Sequence, residues 1–276
     1  MGEDPAAVAD VVLDTIAFDE GDVARYDPDK VGRYIAISSA SVYCDEQGRT
    51  LDEAAQNGFP KLEGPVSEEQ QTVVPGPETY STRKVRMENK AIQVFGNRTT
   101  ILRPCAIYGR TSRHLREWWF IKRLLDGRRC IPLLFDGRSQ FQTTNVGTIA
   151  DLAAQAAECE WGGVFNLADA NAPSVREIGE AIGQFVGEPI EFVDAGIKGM
   201  VGRTPWSVPR PFIIDGSKAN ARLYNQTFDY EDHVGDQIAW TFKLNPEKWR
   251  DLFPQLAAYP YDHFDYEAED RFLASR

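Results

Sequence analysis

Residues 80–84 read Tyr-Ser-Thr-Arg-Lys, and the elements predicted around this stretch decide the fold of the chain. The stretch opens an amphipathic segment that predicts a helix from Tyr80 to about Phe95. Short apolar runs rich in β-branched residues predict one buried strand before this helix, Tyr34–Ser39, and another after it, Thr99–Arg103. A strand, a helix and a strand at this spacing indicate a parallel sheet with helices on its faces.

The same pattern continues toward both ends of the chain. Asp10–Phe18 predicts an earlier strand and Val164–Leu167 a later one. Ligands of parallel sheets lie beyond the carboxyl ends of the strands. Because Thr15, Ser39 and residues 104–106 all fall at such ends, we predict a site at this rim of the sheet.

Tyr80 and Lys84 are four residues apart, so on a helix their side chains leave the same face. A phenol loses its proton near pH ~10, and a neighbouring ammonium lowers that pKa toward neutrality. A hydroxyl from Ser39, at the end of the preceding strand, completes a predicted acid–base site. The spacing alone is a weak signal, because Tyr26–Lys30 matches it too, but a proline within that second segment predicts a loop.

Composition and charge indicate a globular protein and argue against several kinds of partner. Of 276 residues, 42% are apolar and 26% charged, and the net charge of −12 disfavours nucleic acid and anionic membranes. The densest basic run, Arg110–Arg129, is interleaved with apolar residues and predicts an amphipathic helix with a solvated basic face. No run approaches the ~20 apolar residues of a membrane helix, and no signal peptide is expected. The four cysteines lack metal-ligand spacing, so we expect a cytoplasmic protein with reduced thiols and no metal.

Three further segments have distinct patterns. Residues 44–78 lack periodicity and predict a long loop, a type of segment that often carries function. Ser174–Val186 predicts a helix, with Ser174 and Glu177 as a capping box and Gly187 past its end. Residues 196–202 spell Gly-x-x-Gly-x-x-Gly, but prolines follow within two turns, so no helix is expected there to hold a phosphate.

Taken together, these segments resemble the extended short-chain dehydrogenase/reductase family, in its group of NAD-dependent epimerases and dehydratases. The resemblance begins with Ser39, Tyr80-x-x-x-Lys84 and the segment Leu102–Gly109, and it extends from Asp10 to about Trp240. Four later segments correspond to the pattern of the family: Asn145–Ile149, Gly163–Leu167, Ser174–Ile178 and Arg210–Ala219. The first of these departs from it, since Gly147-Thr148 replaces an acidic pair.

The resemblance implies roles for individual residues. Tyr80 would be the catalytic acid/base, Lys84 would hold the nicotinamide ribose and lower the pKa of the tyrosine, and Ser39 would share the reacting oxygen. Arg103 is expected to organise structure rather than chemistry. The implied cofactor is NAD or NADP. The residues implied to lie against it are Thr15, Ile16, Ala17, Ser38, Tyr80, Lys84, Pro104, Cys105 and Ala106.

The start of the chain departs from the family, which opens with a strand, a Gly-x-x-Gly-x-x-Gly loop and a helix. Nothing of that kind precedes Asp10. We therefore expect an α/β fold with a truncated Rossmann-like parallel sheet, its first three strands absent, and a smaller α/β substrate lobe. The remnant of the dinucleotide-binding core is assigned to residues 1–111 and 143–170, and the substrate-binding lobe to residues 112–142 and 171–276.

The absent strands would leave Val11–Phe18 as an apolar edge strand, which favours association with a second chain or another copy of this one. The function implied is that of an NAD(P)-dependent oxidoreductase or isomerase of the epimerase/dehydratase type. Its substrate would be a nucleotide sugar or a related small hydroxyl or carbonyl compound, acted on through Ser39, Tyr80 and Lys84. Two alternatives stay open: a cofactor-free binding or regulatory protein derived from that family, and a truncated fragment.

Overall fold

The computed structural model describes residues 8–223 and 228–276, which form an α/β protein. The described strands are β1 (Ala9–Asp14), β2 (Val31–Ile37), β3 (Thr99–Pro104), β4 (Ala106–Tyr108), β5 (Cys130–Leu133), β6 (Thr143–Asn145), β7 (Gly163–Leu167) and β8 (Glu191–Asp194). The described α-helices are α1 (Glu20–Val23), α2 (Ala54–Asn57), α3 (Tyr80–Phe95), α4 (Trp118–Leu125), α5 (Val146–Glu158), α6 (Val175–Val186), α7 (Ser217–Asn220), α8 (Tyr230–Thr241), α9 (Trp249–Leu252), α10 (Pro254–Ala257) and α11 (Tyr266–Ala274).

The largest sheet contains four parallel strands in the order β1-β2-β3-β7. Its register pairs Leu13 with Ile35 and Ala36 with Ile101, so the carboxyl ends of neighbouring strands meet at one rim. This arrangement confirms the predicted α/β fold with a truncated Rossmann-like sheet. Within the described residues, β1 lies at one edge of this sheet and has a paired strand on one side alone.

The chain divides into two compact units. The first unit, which contains the four-stranded sheet, comprises Met1–Cys105, Val146–Ala170 and Ile213–Thr227. The second unit, which contains the two-stranded parallel sheets β4-β6 and β5-β8, comprises Ala106–Asn145, Asn171–Phe212 and Phe228–Arg276. This division differs from the predicted boundaries at residues 106–111, 143–145 and 213–227.

Strands β2 and β3 are buried on both faces, as their apolar sequences predict. On β2, Tyr34 and Ala36 belong to a core that includes Met87 of α3, whereas Ile35 belongs to a second core that includes Leu152 of α5. The alternation follows from the period of two residues in a strand. A fully buried Ile, Leu or Met side chain contributes roughly 1.5–3 kcal/mol to the stability of the fold. The two cores therefore hold the strand ends in fixed positions.

Caps set the ends of the helices that were predicted from local pattern. Helix α3 begins at Tyr80 because Thr79 and Thr82 form a capping box, each side chain accepting the backbone N–H of the other at 3.3 and 3.0 Å. Helix α6 is capped as predicted, by Ser174 and Glu177 at its start and by a left-handed Gly187 at its end.

The expectation of a solvated basic face on the run Arg110–Arg129 is wrong for Arg123. This residue of α4 is 1% exposed, and its guanidinium lies 3.4 Å from the centre of the Trp119 ring. It also donates to the carboxylate of Glu269 in α11, which forms a buried ion pair. Glu269 is far from Arg123 in sequence, so the local pattern could not reveal this ion pair and predicted that Arg123 is solvated.

The structure confirms the prediction that two segments lie outside helices. Helix α1 ends at Val23, so Tyr26–Lys30 lies outside any helix, and residues 196–202 are irregular. In the part of the chain that the structure describes, no helix has the length and apolar character needed to cross a membrane. The same residues contain no group of three histidines, cysteines or acids placed to hold a metal ion.

His263 gives the second unit an expected sensitivity to acid. Its side chain is 5% exposed, and neither ring nitrogen has a hydrogen-bond partner among the described residues. The pKa of His263 is lowered to about 4, and burial is the main cause. The charges of Arg123 and Arg203 lower the pKa further, whereas the charge of Asp262 opposes them. The unfolded chain binds this proton near pH 6.5, so the contribution to stability is complete above that pH and is lost as the pH falls toward 4.

We predict that His263→Phe weakens this pH dependence. The gap between 6.5 and about 4 corresponds to roughly 3 kcal/mol of unfolding free energy at about 1.4 kcal/mol per pH unit. Urea unfolding at neutral pH and at about pH 4.5 should show a loss in the original protein that exceeds the loss in the variant by roughly 2–3 kcal/mol. His233→Phe, at an exposed position, should keep the original loss. An equal loss in His263→Phe would contradict the prediction.

Candidate active site

Ser39 and Tyr80 meet at the carboxyl end of β2. Ser39 lies two residues past this strand and caps a short 3-10 turn, Ala40–Val42, where its Oγ accepts the N–H of Ser41 at 3.1 Å. The Ser39 hydroxyl lies near the phenol of Tyr80, the first residue of α3, and lowers the pKa of that phenol as a hydrogen-bond partner. The Phe18 ring contacts the Tyr80 ring, with centroids 5.6 Å apart. These contacts orient a tyrosine that stays 37% exposed.

Lys84 lies one turn further along α3, with its Nζ 5.8 Å from the centre of the Tyr80 ring. Nζ donates to the carbonyl oxygens of Ala17 at 2.6 Å and Ile37 at 2.9 Å. One carbonyl follows β1 and the other ends β2, so the buried ammonium bridges the ends of two strands. The structure thus brings Ser39, Tyr80 and Lys84 together, and their roles in catalysis stay a prediction.

The pKa of Tyr80 does not shift in the expected direction. Burial raises it above the ordinary value of 10, the hydrogen bond with Ser39 lowers it, and the charge of Asp52 raises it again. Lys84 points at carbonyl oxygens instead, and burial lowers its own pKa. Three carboxylates oppose that last shift: Asp14, Glu88 and Asp22. The phenol is therefore protonated at neutral pH and is suited to donating a proton.

Asp52 is a neighbour of Tyr80 that the sequence analysis missed. It lies in the segment 44–78, and its carboxylate lies near the backbone N–H groups of Tyr80 and Ser81 in the first turn of α3, which lower its pKa. Negative charge is favourable at the start of a helix, so this acid stabilises the turn that carries Tyr80. Burial, and then Glu53, raises the pKa of Asp52, while the two amides lower it. No local pattern reveals such a contact, because the loop returns to the helix only in the folded chain.

A buried polar network joins α3 to β3. Arg103 donates to both carboxylate oxygens of Glu88, at 3.0 and 2.6 Å, and to the hydroxyl of Tyr43 at 3.0 Å. The Ser38 hydroxyl donates to Glu88 Oε1 at 2.5 Å, and Tyr43 donates to Asn166 at 2.6 Å. Arg103 therefore organises structure, as expected. The hydroxyl of Ser38, which was implied to contact the cofactor, is engaged within the same network.

The remaining predicted cofactor residues lie at or next to the rim. Thr15 and Ile16 follow β1 and are exposed, Ile16 to 77%. Ala17 is buried, and its carbonyl oxygen accepts the Lys84 ammonium. Pro104 ends β3 and Cys105 follows it half-buried. Ala106 is buried at the start of β4 and belongs to the second unit.

Comparison with known proteins relates this geometry to a fold. No model of a known protein family matches the chain, and no curated protein matches it in sequence. Solved structures do match it. UDP-glucuronic acid 4-epimerase from Bacillus cereus, in complex with UDP-glucuronic acid and NAD, superposes with a TM-score of 0.56 at 21% identity, over 78% of this chain. The match spans 63% of the length of that enzyme.

Two further structures superpose over more of this chain. dTDP-glucose 4,6-dehydratase from Bacillus anthracis, in complex with NAD, gives a TM-score of 0.61 at 18% identity, covering 88% of this chain and 76% of the enzyme. UDP-N-acetylglucosamine 4-epimerase from Methanobrevibacter ruminantium gives 0.60 at 17% identity, covering 85% and 77%. The chain therefore has the fold of the extended short-chain dehydrogenases/reductases, which these NAD-dependent nucleotide-sugar epimerases and dehydratases share.

Proposed function

We propose that this protein belongs to the epimerase/dehydratase group of that family and acts on a nucleotide sugar through Ser39, Tyr80 and Lys84. The observation that carries the proposal is their arrangement at one rim of a parallel sheet. The Ser39 hydroxyl lies near the Tyr80 phenol, and the Lys84 ammonium lies one helical turn away between two carbonyl oxygens. The shared fold supports the proposal, because proteins of this fold include enzymes solved with NAD and UDP-glucuronic acid.

In the proposed reaction, the Tyr80 phenol exchanges a proton with a hydroxyl or carbonyl oxygen of the sugar. Ser39, next to the phenol, would present its hydroxyl to the same oxygen. The Lys84 ammonium has three donors, of which two are bonded to carbonyls, and the third would hold the nicotinamide ribose. NAD, when bound, supplies the hydride acceptor. The raised pKa of Tyr80 keeps the phenol protonated before the step in which it donates, although it also makes the phenol a weaker acid.

Lys84 is proposed to hold the nicotinamide ribose, but the turn after β1 does not fit the diphosphate of NAD. A diphosphate binds free N–H groups at the start of a helix. After β1, the four consecutive amides of residues 16–19 are bonded to the carboxylates of Asp14 and Asp22, at 2.7–3.0 Å. These acids occupy the donors that a phosphate needs, and their negative charge opposes it.

We propose that the diphosphate is held by a further polypeptide segment, in this or a second chain, that covers the edge of β1. This strand is at the edge of the described sheet. The side chain of Leu13 within the strand is 48% exposed, and that of Ile16 just after it is 77% exposed. An open edge accepts another strand through backbone hydrogen bonds. In the doubly wound strand order 3-2-1-4, the strand beside the fourth is followed by the loop that binds the diphosphate.

The occupied amides also favour a second candidate, a cofactor-free protein that binds nucleotide sugars. Such a protein keeps the fold and the Ser39–Tyr80–Lys84 arrangement without holding NAD. In both cases we propose a cytoplasmic location, because no disulfide joins the four cysteines and a reducing compartment keeps thiols in that state.

Titration with NADH separates the two candidates. Energy transfer from tryptophan to the nicotinamide reports binding, and the enzyme proposal expects a saturable signal when the segment that covers β1 is present. Lys84→Met should weaken the affinity by about tenfold or more, because a charge-assisted hydrogen bond is lost. Lys90→Met, on the same helix but outside the site, should keep the original affinity. With that segment present, absence of transfer up to millimolar NADH, together with calorimetric binding of UDP-glucuronic acid, would overturn the enzyme proposal and support the binding protein.

A further inference from the structure

Asp14 is a buried acid at the end of β1, 3% exposed, that the proposed reaction has not used. Its Oδ1 accepts the N–H of Ile16 at 3.0 Å and the N–H of Ala17 at 2.7 Å. A carboxylate that bonds the backbone two and three residues ahead fixes a turn. This turn ends the strand at Asp14, whereas the sequence pattern predicted a strand as far as Phe18.

The other carboxylate oxygen of Asp14 is tethered to the core. The hydroxyl of Tyr34 on β2 donates to Oδ2 at 2.9 Å. Tyr34 is fully buried and stacks on Phe95 at the end of α3, with ring centroids 4.9 Å apart and planes 7° from parallel. Burial, together with the charge of Asp14, raises the pKa of Tyr34, so this hydroxyl stays a donor throughout the neutral range.

Ala17 connects this anchored acid to Lys84. The Ala17 N–H is bonded to Asp14, and its carbonyl oxygen accepts the Lys84 ammonium at 2.6 Å. Burial disfavours the charge on Lys84, and Asp14 is the largest of the opposing influences, ahead of Glu88 on α3 and Asp22 on α1. Asp14 thus acts on Lys84 in two ways, through the position of a carbonyl group and through its own charge.

We propose that Asp14 is the positioning residue of Lys84: by accepting the Ala17 N–H it fixes the Ala17 carbonyl that accepts the ammonium, and its negative charge stabilises the ammonium there. The proposal rests on the function proposed above, in which Lys84 holds the nicotinamide ribose. Asp14 touches neither substrate nor cofactor in this scheme and acts through Lys84 alone.

The test compares Asp14→Asn with Asp10→Asn, which makes the same change of charge at an exposed position of the same strand. Nitrogen-15 NMR of the lysine side chains gives the titration midpoint of Lys84, assigned by the signal that disappears in Lys84→Arg. Asp14→Asn should move this midpoint to lower pH and speed hydrogen exchange at the Ala17 amide, while Asp10→Asn changes neither. An unmoved midpoint in folded Asp14→Asn would overturn the proposal, even with a lowered melting temperature.

A second variant keeps the test decisive if Asp14→Asn fails to fold. Tyr34→Phe removes the tether but keeps the stacked ring and the Asp14 charge, and it should speed exchange at Ala17 and shift the Lys84 signal. Unchanged signals in Tyr34→Phe would then overturn the proposal. These readouts need no NAD, so they are separate from the NADH titration. Absence of NADH binding with the segment over β1 present, together with binding of UDP-glucuronic acid, defeats the proposed function, whereas an unmoved Lys84 midpoint defeats the role of Asp14.

Discussion

Turnover of a nucleotide sugar in the presence of NAD is expected to fall by about 10²–10⁴-fold in Tyr80→Phe, the range that general acid–base groups contribute. The variant keeps the ring and its contact with Phe18 but loses the proton that the reaction transfers. The loss should appear in kcat with little change in KM, because the phenol is proposed to act on the reacting oxygen. Chromatographic separation of the nucleotide sugars measures both constants.

The second Tyr-x-x-x-Lys segment supplies the matched control. Tyr26 lies past the end of α1, outside the rim that carries Ser39, so Tyr26→Phe should keep the original turnover. Equal melting temperatures for the two variants would show that the Tyr80 effect is chemical. Turnover within a few-fold of the original in Tyr80→Phe would remove Tyr80 from the proposed role.

The free energy of unfolding is expected to fall by about 3–5 kcal/mol in Glu88→Gln, the usual effect of removing one partner from a buried ion pair. Glu88 and Arg103 are 2% and 6% exposed, so water cannot replace the lost carboxylate. The variant also leaves the Ser38 hydroxyl without its charged acceptor. Urea unfolding at neutral pH measures the difference.

A surface pair gives the comparison for this prediction. Glu267 and Arg271 on α11 pair with side chains 81% and 68% exposed, and Glu267→Gln should lower the free energy of unfolding by less than about 1 kcal/mol. Replacing Glu88 and Arg103 together by leucine should recover much of the single-variant loss, because no uncompensated charge stays buried. A loss below about 1 kcal/mol in Glu88→Gln would show that Arg103 finds another partner or water.

Much of the fold followed from local pattern. The strands β2, β3 and β7 and the helices α3 and α6 lie close to their predicted bounds, because apolar periodicity and caps act over a few residues. Strands β4 and β6 were not predicted, since each has three residues and exists through its pairing with the other, Ala106 opposite Thr143. Helix α11 was not predicted either, and its buried Glu269 pairs with Arg123, far away in sequence.

In the candidate site, too, some features follow from the local sequence and others depend on residues that are distant in sequence. The proximity of Tyr80 and Lys84 follows from a four-residue spacing on one helix, and that of Ser39 from the end of the neighbouring strand. The contribution of Asp52 was not predictable, because a long irregular loop brings its carboxylate to the first turn of α3. The strand ending at Asp14 was missed for a related reason: an apolar run continues past the point where a side chain turns the backbone.

Local spacing was therefore enough to identify a parallel sheet, its rim and the three side chains that meet there. Packing determined the hydrogen-bond partners and the pKa shifts of those side chains. Lys84 turned toward the carbonyls of Ala17 and Ile37, and burial raised the pKa of Tyr80 instead of lowering it. The physical reason is that desolvation and charge–charge energies depend on distances between groups that are remote in sequence, and only the folded chain fixes those distances.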